Sequence, residues 1–374
     1  MLILTTFLTA QSSGPLSVRE LYDLFDRQLP DTLSGNAHRY HPKFGASVSY
    51  GFNFLNGRFG SLADLPRYWS ADLRGSVQAT GRRLYQELWR YPEWGVGVAR
   101  TSFVNDTLFG APLAGYGYID VPLLRYGPDQ KWNLGFHFST GLSTNFRRYD
   151  PVSNRLNTFI SSRLNVYIDV GGWLGVRLSP HLDLQGGVSL IHFSNGAIKQ
   201  PNSGINAFGP RLQLQYHLYE RPQVYRRDEI PEWKARHGPF VYQAIGTKQL
   251  TIGGSRYLNT TTALGYQWWS GYRHRWLAQL DYFYDRSNNS GEASRIIVPD
   301  EDRDNPANYR SLGLFVGHEA IHNRWSLVVG AGVYVWRRYE YNRVLYQRFG
   351  IRYRVWNGLA VGVGLKGRTF GADY

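Results

Sequence analysis

The chain has 374 residues, no cysteine, and 42 Lys+Arg against 28 Asp+Glu for a formal net charge of +14, which excludes a disulfide framework, a cysteine-ligated metal and a cysteine nucleophile. Only six of the 42 basic residues are lysine, leaving 36 arginines; the planar guanidinium is the better fork for phosphate, so the partner expected is anionic, a nucleic acid or a phosphorylated lipid surface. Aromatics make up 16% of residues, with 27 Tyr and 12 Trp, as in the girdles of a membrane barrel, while no apolar run reaches the roughly 18 residues of a transmembrane helix.

In chain order, residues 1–12 (Met-Leu-Ile-Leu-Thr-Thr-Phe-Leu-Thr-Ala-Gln-Ser) read as the apolar core of a signal peptide ending near a small-residue cleavage site, without the usual basic start. Residues 13–42 read as a periplasmic leader, in which Leu16, Leu21, Leu24, Phe25 and Leu29 have helical spacing. From residue 43 the period becomes two. Strands are predicted near 43–54, 68–79, 93–104, 112–124, 131–144, 161–177, 181–194 and 206–218. Seven more are predicted near 239–252, 257–269, 274–286, 309–321, 324–337, 343–355 and 358–370. In the last of these Leu359, Val361, Val363 and Leu365 alternate with Ala360, Gly362, Gly364 and Lys366.

Alternation sustained over so many long strands, with this aromatic load, favours an antiparallel transmembrane β-barrel over a soluble sandwich or propeller. The fold expected is therefore all-β, one outer-membrane barrel over 43–374 with roughly 12–16 strands. Tight turns at Leu178–His181, Ser270–Arg273 and Val355–Gly358 mark one end; long polar loops at 145–159 and 288–308 mark the other. Fifteen strands is an odd number, so either one segment is misread or the polar stretch 219–238 hides an irregular element.

The stretch from His192 to Asn206, His-Phe-Ser-Asn-Gly-Ala-Ile-Lys-Gln-Pro-Asn-Ser-Gly-Ile-Asn, carries the chemistry. In the strand before it, Leu182, Leu184, Val188 and Leu190 are even-numbered and Asp183, Gln185 and Ser189 odd. Even positions therefore face lipid, and His192 and Ser194 continue that set at the strand end. In the strand after the loop Leu212, Leu214, Tyr216 and Leu218 are even too. Asn206 then faces outward, unless Pro210 marks a bulge. An ionisable group on a lipid-facing wall is a functional-site hypothesis. An imidazole beside a serine activates the hydroxyl, and a third group must hold the other ring nitrogen. Asn206 is the candidate for that role; Asn202 or the backbone N–H of Asn195 or Gly196 are candidates for an oxyanion hole.

The stretch closely resembles the signature of the lipid A 3-O-deacylase (PagL) family, matching at His192, Ser194, Asn195, Lys199, Gln200, Pro201, Asn202 and Gly204. The resemblance implies a membrane β-barrel with a Ser–His–Glu triad on its outer wall that cleaves the acyl chain ester-linked at position 3 of lipid A. It implies His192 as base, Ser194 as nucleophile and Asn202 as an oxyanion-hole residue. The family's glutamate falls at Asn206, and an amide orients the ring without offsetting the imidazolium charge. The resemblance covers about residues 131–218, whereas family members are small, roughly eight-stranded barrels. The longer form resembles the acyloxyacyl-hydrolase-like branch of Bacteroidetes-type bacteria.

Arg147-Arg148 and Arg337-Arg338 fall at predicted outer strand ends, where they could pair with lipid A phosphates. The acidic run Asp300–Asp304 has the composition of a divalent-cation loop and equally that of a solvated one. There is no P-loop, no GxSxG elbow and no ligand cluster with metal spacing. The function expected is an outer-membrane serine esterase acting on lipid A or lipopolysaccharide, with lipid and lipopolysaccharide as partners, no nucleic acid and no cofactor. The alternatives are a catalytically weak lipopolysaccharide-binding barrel and a porin-like channel.

Overall fold

The computed structural model describes residues 2–9, 41–54, 66–80, 83–103, 106–126, 131–220, 232–289, 305–338 and 344–367. Sixteen strands form two closed antiparallel barrels of eight. The first contains β2 (His41–Phe54), β3 (Arg67–Gln78), β4 (Glu93–Phe103), β5 (Gly110–Tyr126), β6 (Trp132–Phe146), β7 (Asn165–Ser179), β8 (Leu182–Ser194) and β9 (Ile205–His217), each paired with the next and β9 with β2. Two short helices sit in its connections, α1 (Leu84–Leu88) and α2 (Asp106–Phe109).

The second contains β1 (Leu2–Thr9), β10 (Arg236–Gln249), β11 (Arg256–Trp269), β12 (His274–Asp285), β13 (Arg310–His322), β14 (Trp325–Arg337), β15 (Leu345–Trp356) and β16 (Leu359–Gly367). By contacts the chain divides into residues 1–26, 196–200 and 230–374 in one unit and 27–195 and 201–229 in the other.

All fifteen strands predicted from residue 43 onward are present, and the missing sixteenth is β1. Residues 2–9, expected as a signal core, instead pair along their length with β10 (Leu2 opposite Thr247, Thr9 opposite Phe240) and with β16 (Leu2 opposite Leu365). Eight residues mixing leucine with Ile3, Thr5, Thr6 and Thr9 satisfy both patterns, and β-branched residues suit a strand. The single barrel expected over 43–374 is likewise replaced by two, because period-two alternation reports which way a side chain faces but not which strand closes on which. The helix expected near 16–29 lies outside the described residues.

Both walls follow the alternation. In the first barrel Phe44, Val48, Leu73, Val96, Val98, Leu142 and Leu212 are exposed on the outside, a surface suited to hydrocarbon. Inside, Arg211 donates to Ser47 Oγ (3.0 Å) and pairs with Asp72 (3.0 Å) and Asp169 (3.3 Å). Lys43 pairs with Glu93 at 2.7 Å. In the second barrel Glu319 accepts from both Arg275 (2.8 Å) and Arg352 (3.0 Å), and Arg348 reaches Asp281 (2.8 Å). Buried charges are stable only when paired in this way. An eight-stranded wall encloses a lumen just wide enough to be filled by side chains, and these buried ion pairs lie within it.

One end of the first lumen is apolar instead. Tyr68, Phe103, Phe109, Phe159, Ile160, Tyr167, Ile191, Phe193 and Ile205 form a buried cluster there, and this plug sets the ends of β8 and β9.

Candidate active site

At the end of β8 the side chains alternate between plug and outer wall. Phe193 is 1% exposed and packs edge-on against Phe103 and Phe146, with ring centroids 6.2 and 5.4 Å away. Its two neighbours, His192 and Ser194, must then take the opposite face, because a strand's side chains alternate. A one-residue slip would send both into the lumen. The β8–β9 register is unbroken from Leu182 opposite Tyr216 to Phe193 opposite Ile205, passing Pro210 without a bulge. It places His192 directly opposite Asn206. On the other side His192 lies opposite Ile168 and Ser194 opposite Val166 of β7.

Three of the predicted site residues are brought together. Nδ1–H of His192 donates to Asn206 Oδ1 at 2.6 Å. That tautomer leaves Nε2 as an acceptor for the Ser194 hydroxyl at 2.8 Å. Both contacts are within hydrogen-bond range. Ser194 is only 6% exposed although it lies on the wall, so the hydroxyl is screened from bulk water.

The oxyanion candidates divide. The backbone N–H of Asn195 donates to Asn202 Oδ1 at 2.9 Å, so the expectation that it is available to an oxyanion is corrected: a loop amide already holds it. The Asn195 side chain is engaged as well, its Nδ2 donating to Ser162 Oγ (3.0 Å) and Ser161 Oγ (3.4 Å). Asn202 is thereby fixed through its oxygen. Gly196 follows at φ 64°, and Ala197 shares that left-handed conformation at φ 62°.

Gly204 is needed for two reasons. Its φ is +72°, and a Cβ there would lie 3.2 Å from His192 Cε1 and 3.4 Å from Ser194 Cβ. Only glycine adopts this conformation without cost, and the bare Cα lets the loop close over the imidazole edge.

The sequence reading missed the buttress behind the site. Residues 147–164, between β6 and β7, form an ordered loop. Asn157, fully buried, donates to the carbonyls of Leu108 (3.1 Å) and Arg147 (2.6 Å) and accepts from the backbone N–H of Phe159 and Ile160 (both 3.1 Å). Asn154 donates to the carbonyls of Leu108, Arg147 and Arg148, each at 3.0 Å. The loop then meets the site: Ser203 and Gly204 donate their N–H groups to the carbonyls of Thr158 (3.3 Å) and Phe159 (3.2 Å). The density of Asn, Ser and Thr in 153–162, residue types that bond backbone locally, was the available signal.

Among the described residues no group of three or more His, Asp or Glu could hold a metal ion. Asp300–Asp304 lies outside them, while Arg337 and Arg338 are described at the end of β14 and belong to the second barrel.

A closed antiparallel barrel whose apolar outer wall carries a hydrogen-bonded Ser–His pair is the class defined by fold and site. The family model described as lipid A 3-O-deacylase (PagL) matches residues 73–215, and that described as acyloxyacyl hydrolase, C-terminal domain, matches 240–374. The two cover most of the chain, which belongs to this lipid A deacylase family. Membership supports hydrolysis of an acyl chain of lipid A as the activity. No curated protein matches the sequence. Among solved structures, two mutants of the Rh. blastica porin align over 87% of this chain and 99% of theirs, at 8% and 9% identity, each with a TM-score of 0.19; a likeness this slight carries no argument.

Proposed function

We propose that the protein is a serine esterase of the bacterial outer membrane that hydrolyses the acyl chain ester-linked at the 3-O position of lipid A. The observation that carries this reading is the hydrogen-bonded chain Asn206–His192–Ser194 on the outer wall (2.6 and 2.8 Å). A lipid ester held in the leaflet reaches such a site without leaving the membrane.

The Ser194 Oγ attacks the ester carbonyl carbon while His192 Nε2 takes its proton. Asn206 holds the ring through Nδ1 and fixes the tautomer that makes Nε2 the base. The carbonyl oxygen becomes an oxyanion, for which the Asn202 amide, pinned through its oxygen by Asn195, is the donor assigned. His192 returns the proton to the sugar oxygen as the C–O bond breaks. Water, deprotonated by the same imidazole, then cleaves the acyl-serine. The chemistry derived needs water and no cofactor.

One observation favours a second reading. The group behind His192 is an amide, which leaves the imidazolium formed during attack without a neighbouring carboxylate. A lipopolysaccharide-binding barrel with weak catalysis fits that feature.

Lipid A mass spectra from cells with and without the protein decide between them. The expected result is loss of one hydroxyacyl chain in its presence, abolished by Ser194→Ala and by His192→Asn, with both variants still migrating as heat-modifiable barrels. Retained deacylation in Ser194→Ala would show that another hydroxyl is the nucleophile; unchanged lipid A with the native chain would leave the binding role.

A further inference from the structure

The buttress loop has a charge that its structural role does not require. Between Arg147 and Leu164 it carries Arg147, Arg148, Arg155 and Arg163 against one acid, Asp150. Arg147, Arg155 and Arg163 are exposed and Arg148 half-buried. Among the described residues none of the four makes an ion pair. The one acid is engaged by the loop itself: Asp150 Oδ1 accepts the backbone N–H of Ser153 (2.7 Å) and Val152 (3.0 Å). These donors, and to a smaller extent the charge of Arg148, hold its carboxyl below the usual carboxylate range. Val152, Leu156 and Leu164 stand exposed among the arginines, the mixture of apolar and cationic side chains that suits a membrane interface.

The loop is also rigid. Asn154 and Asn157 tie it to the end of α2, and its 158–162 segment is bonded to Ser203, Gly204 and Asn195 beside the Ser194–His192 pair. Whatever binds the arginines is therefore held in register with the nucleophile. At β8's end Ser194 sits where the wall meets the loops, so a lipid whose acyl ester lies at Ser194 must place its polar head at the height of this loop.

We propose that the 147–164 loop is the headgroup site, and that Arg147, Arg148, Arg155 and Arg163 bind the phosphate groups of a phosphorylated glycolipid while its ester lies at Ser194. This rests on the esterase reading for the orientation of the lipid, not for the binding itself. Guanidinium groups take phosphate oxygens in paired, charge-assisted hydrogen bonds, and a ligand held away from the reacting bond lowers KM when it is bound equally before and during reaction.

The test uses the full chain in detergent with two substrates: lipid A bearing its phosphates, and the same lipid A dephosphorylated enzymatically. Replacing all four arginines by glutamine should raise KM for the phosphorylated lipid by roughly tenfold or more, equivalent to one good contact. The kcat and the KM for the dephosphorylated lipid should stay unchanged. Binding of the Ser194→Ala chain to vesicles containing either lipid A gives a readout independent of turnover, with the arginine substitutions expected to erase the preference for phosphate. Equal KM and equal vesicle binding for both lipids in the native chain would overturn the proposal while leaving the esterase intact. If the native chain shows no turnover, the esterase reading falls and the vesicle preference alone decides the headgroup site.

Discussion

At the scale of single residues, the proposed function turns on the pair across the β8–β9 ladder. His192 and Asn206 are directly opposed, and cross-strand neighbours lie about 5 Å apart at Cβ, so the Nδ1–Oδ1 contact follows from register alone. This much was legible in the sequence, because alternation in β8 and β9 fixes parity independently on both strands. The Asn195–Asn202 bond was not legible. It closes a loop in which Ala197, a residue type that does not advertise left-handed φ, takes φ 62°. The chemical consequence of Asn206 is open to direct measurement. In the proposed mechanism His192 becomes a cation on a partly apolar wall during attack; the Asn206 amide oxygen accepts its N–H but supplies no charge. Loss of the carboxylate from a serine protease triad lowers kcat by about ten thousand-fold, largely through the wrong tautomer. A site built around an amide keeps the right tautomer and is damaged less. Asn206→Glu should therefore raise kcat, and Asn206→Ala should lower it by about tenfold or more as the ring loses its orienting partner. Steady-state rates on lipid A check both; if neither substitution changes kcat, Asn206 does not serve the imidazole.

At the scale of elements, the site is where a strand end, a tight loop and a buttress meet. The strand was read correctly because Ile191 and Phe193 fill the plug on one parity while Val188 and Leu190 face out on the other. The buttress was misread in part. Alternation carried the predicted strand back to residue 161, whereas β7 begins at Asn165. Ser162 instead donates to Asn165 Oδ1 (2.6 Å) and accepts from Asn195, and Asn165 Nδ2 donates back to the Ser162 carbonyl (3.1 Å). Side-chain bonds of this kind compete with the ladder, and nothing in period-two spacing reports them. The keystone is Asn157, whose amide satisfies four backbone groups at once. Asn157→Ala strands those groups, at about 1–3 kcal/mol for each left unsatisfied. The barrel wall does not depend on them. The expected outcome is new protease cleavage within 147–164 and a fall in kcat, with heat-modifiable migration on gels retained. A cleavage pattern matching the native chain would show that the loop is held by its apolar residues, Phe159 and Ile160, instead.

At the scale of the whole chain, closure is what the sequence pattern conceals. Each barrel shows the same alternation, so fifteen strands in a row look like one wall. The register shows two, with the second closed only because β1 joins β10 to β16. Without β1 the second barrel would present seven strands and two open edges. Unpaired backbone N–H and C=O groups are not tolerated in hydrocarbon, where each costs several kcal/mol. In the proposed outer-membrane setting β1 is then a structural part of the second barrel, and residues 2–9 should be retained. Intact-mass measurement of the protein purified from membranes checks this. A mass lacking residues 2–9, in a chain whose second barrel still resists heat and protease, would mean that β10 and β16 close by another route. Retention has a further consequence. A chain expressed without residues 2–9 should lose the protection of 236–367 to added protease, because an open seven-stranded sheet exposes its edges. The wall of β2–β9 closes on its own ladder between β9 and β2, so protection of 41–217 should persist. Loss of protection over both regions would show that the first barrel's stability depends on the second, a coupling that its separate ladder of hydrogen bonds does not require.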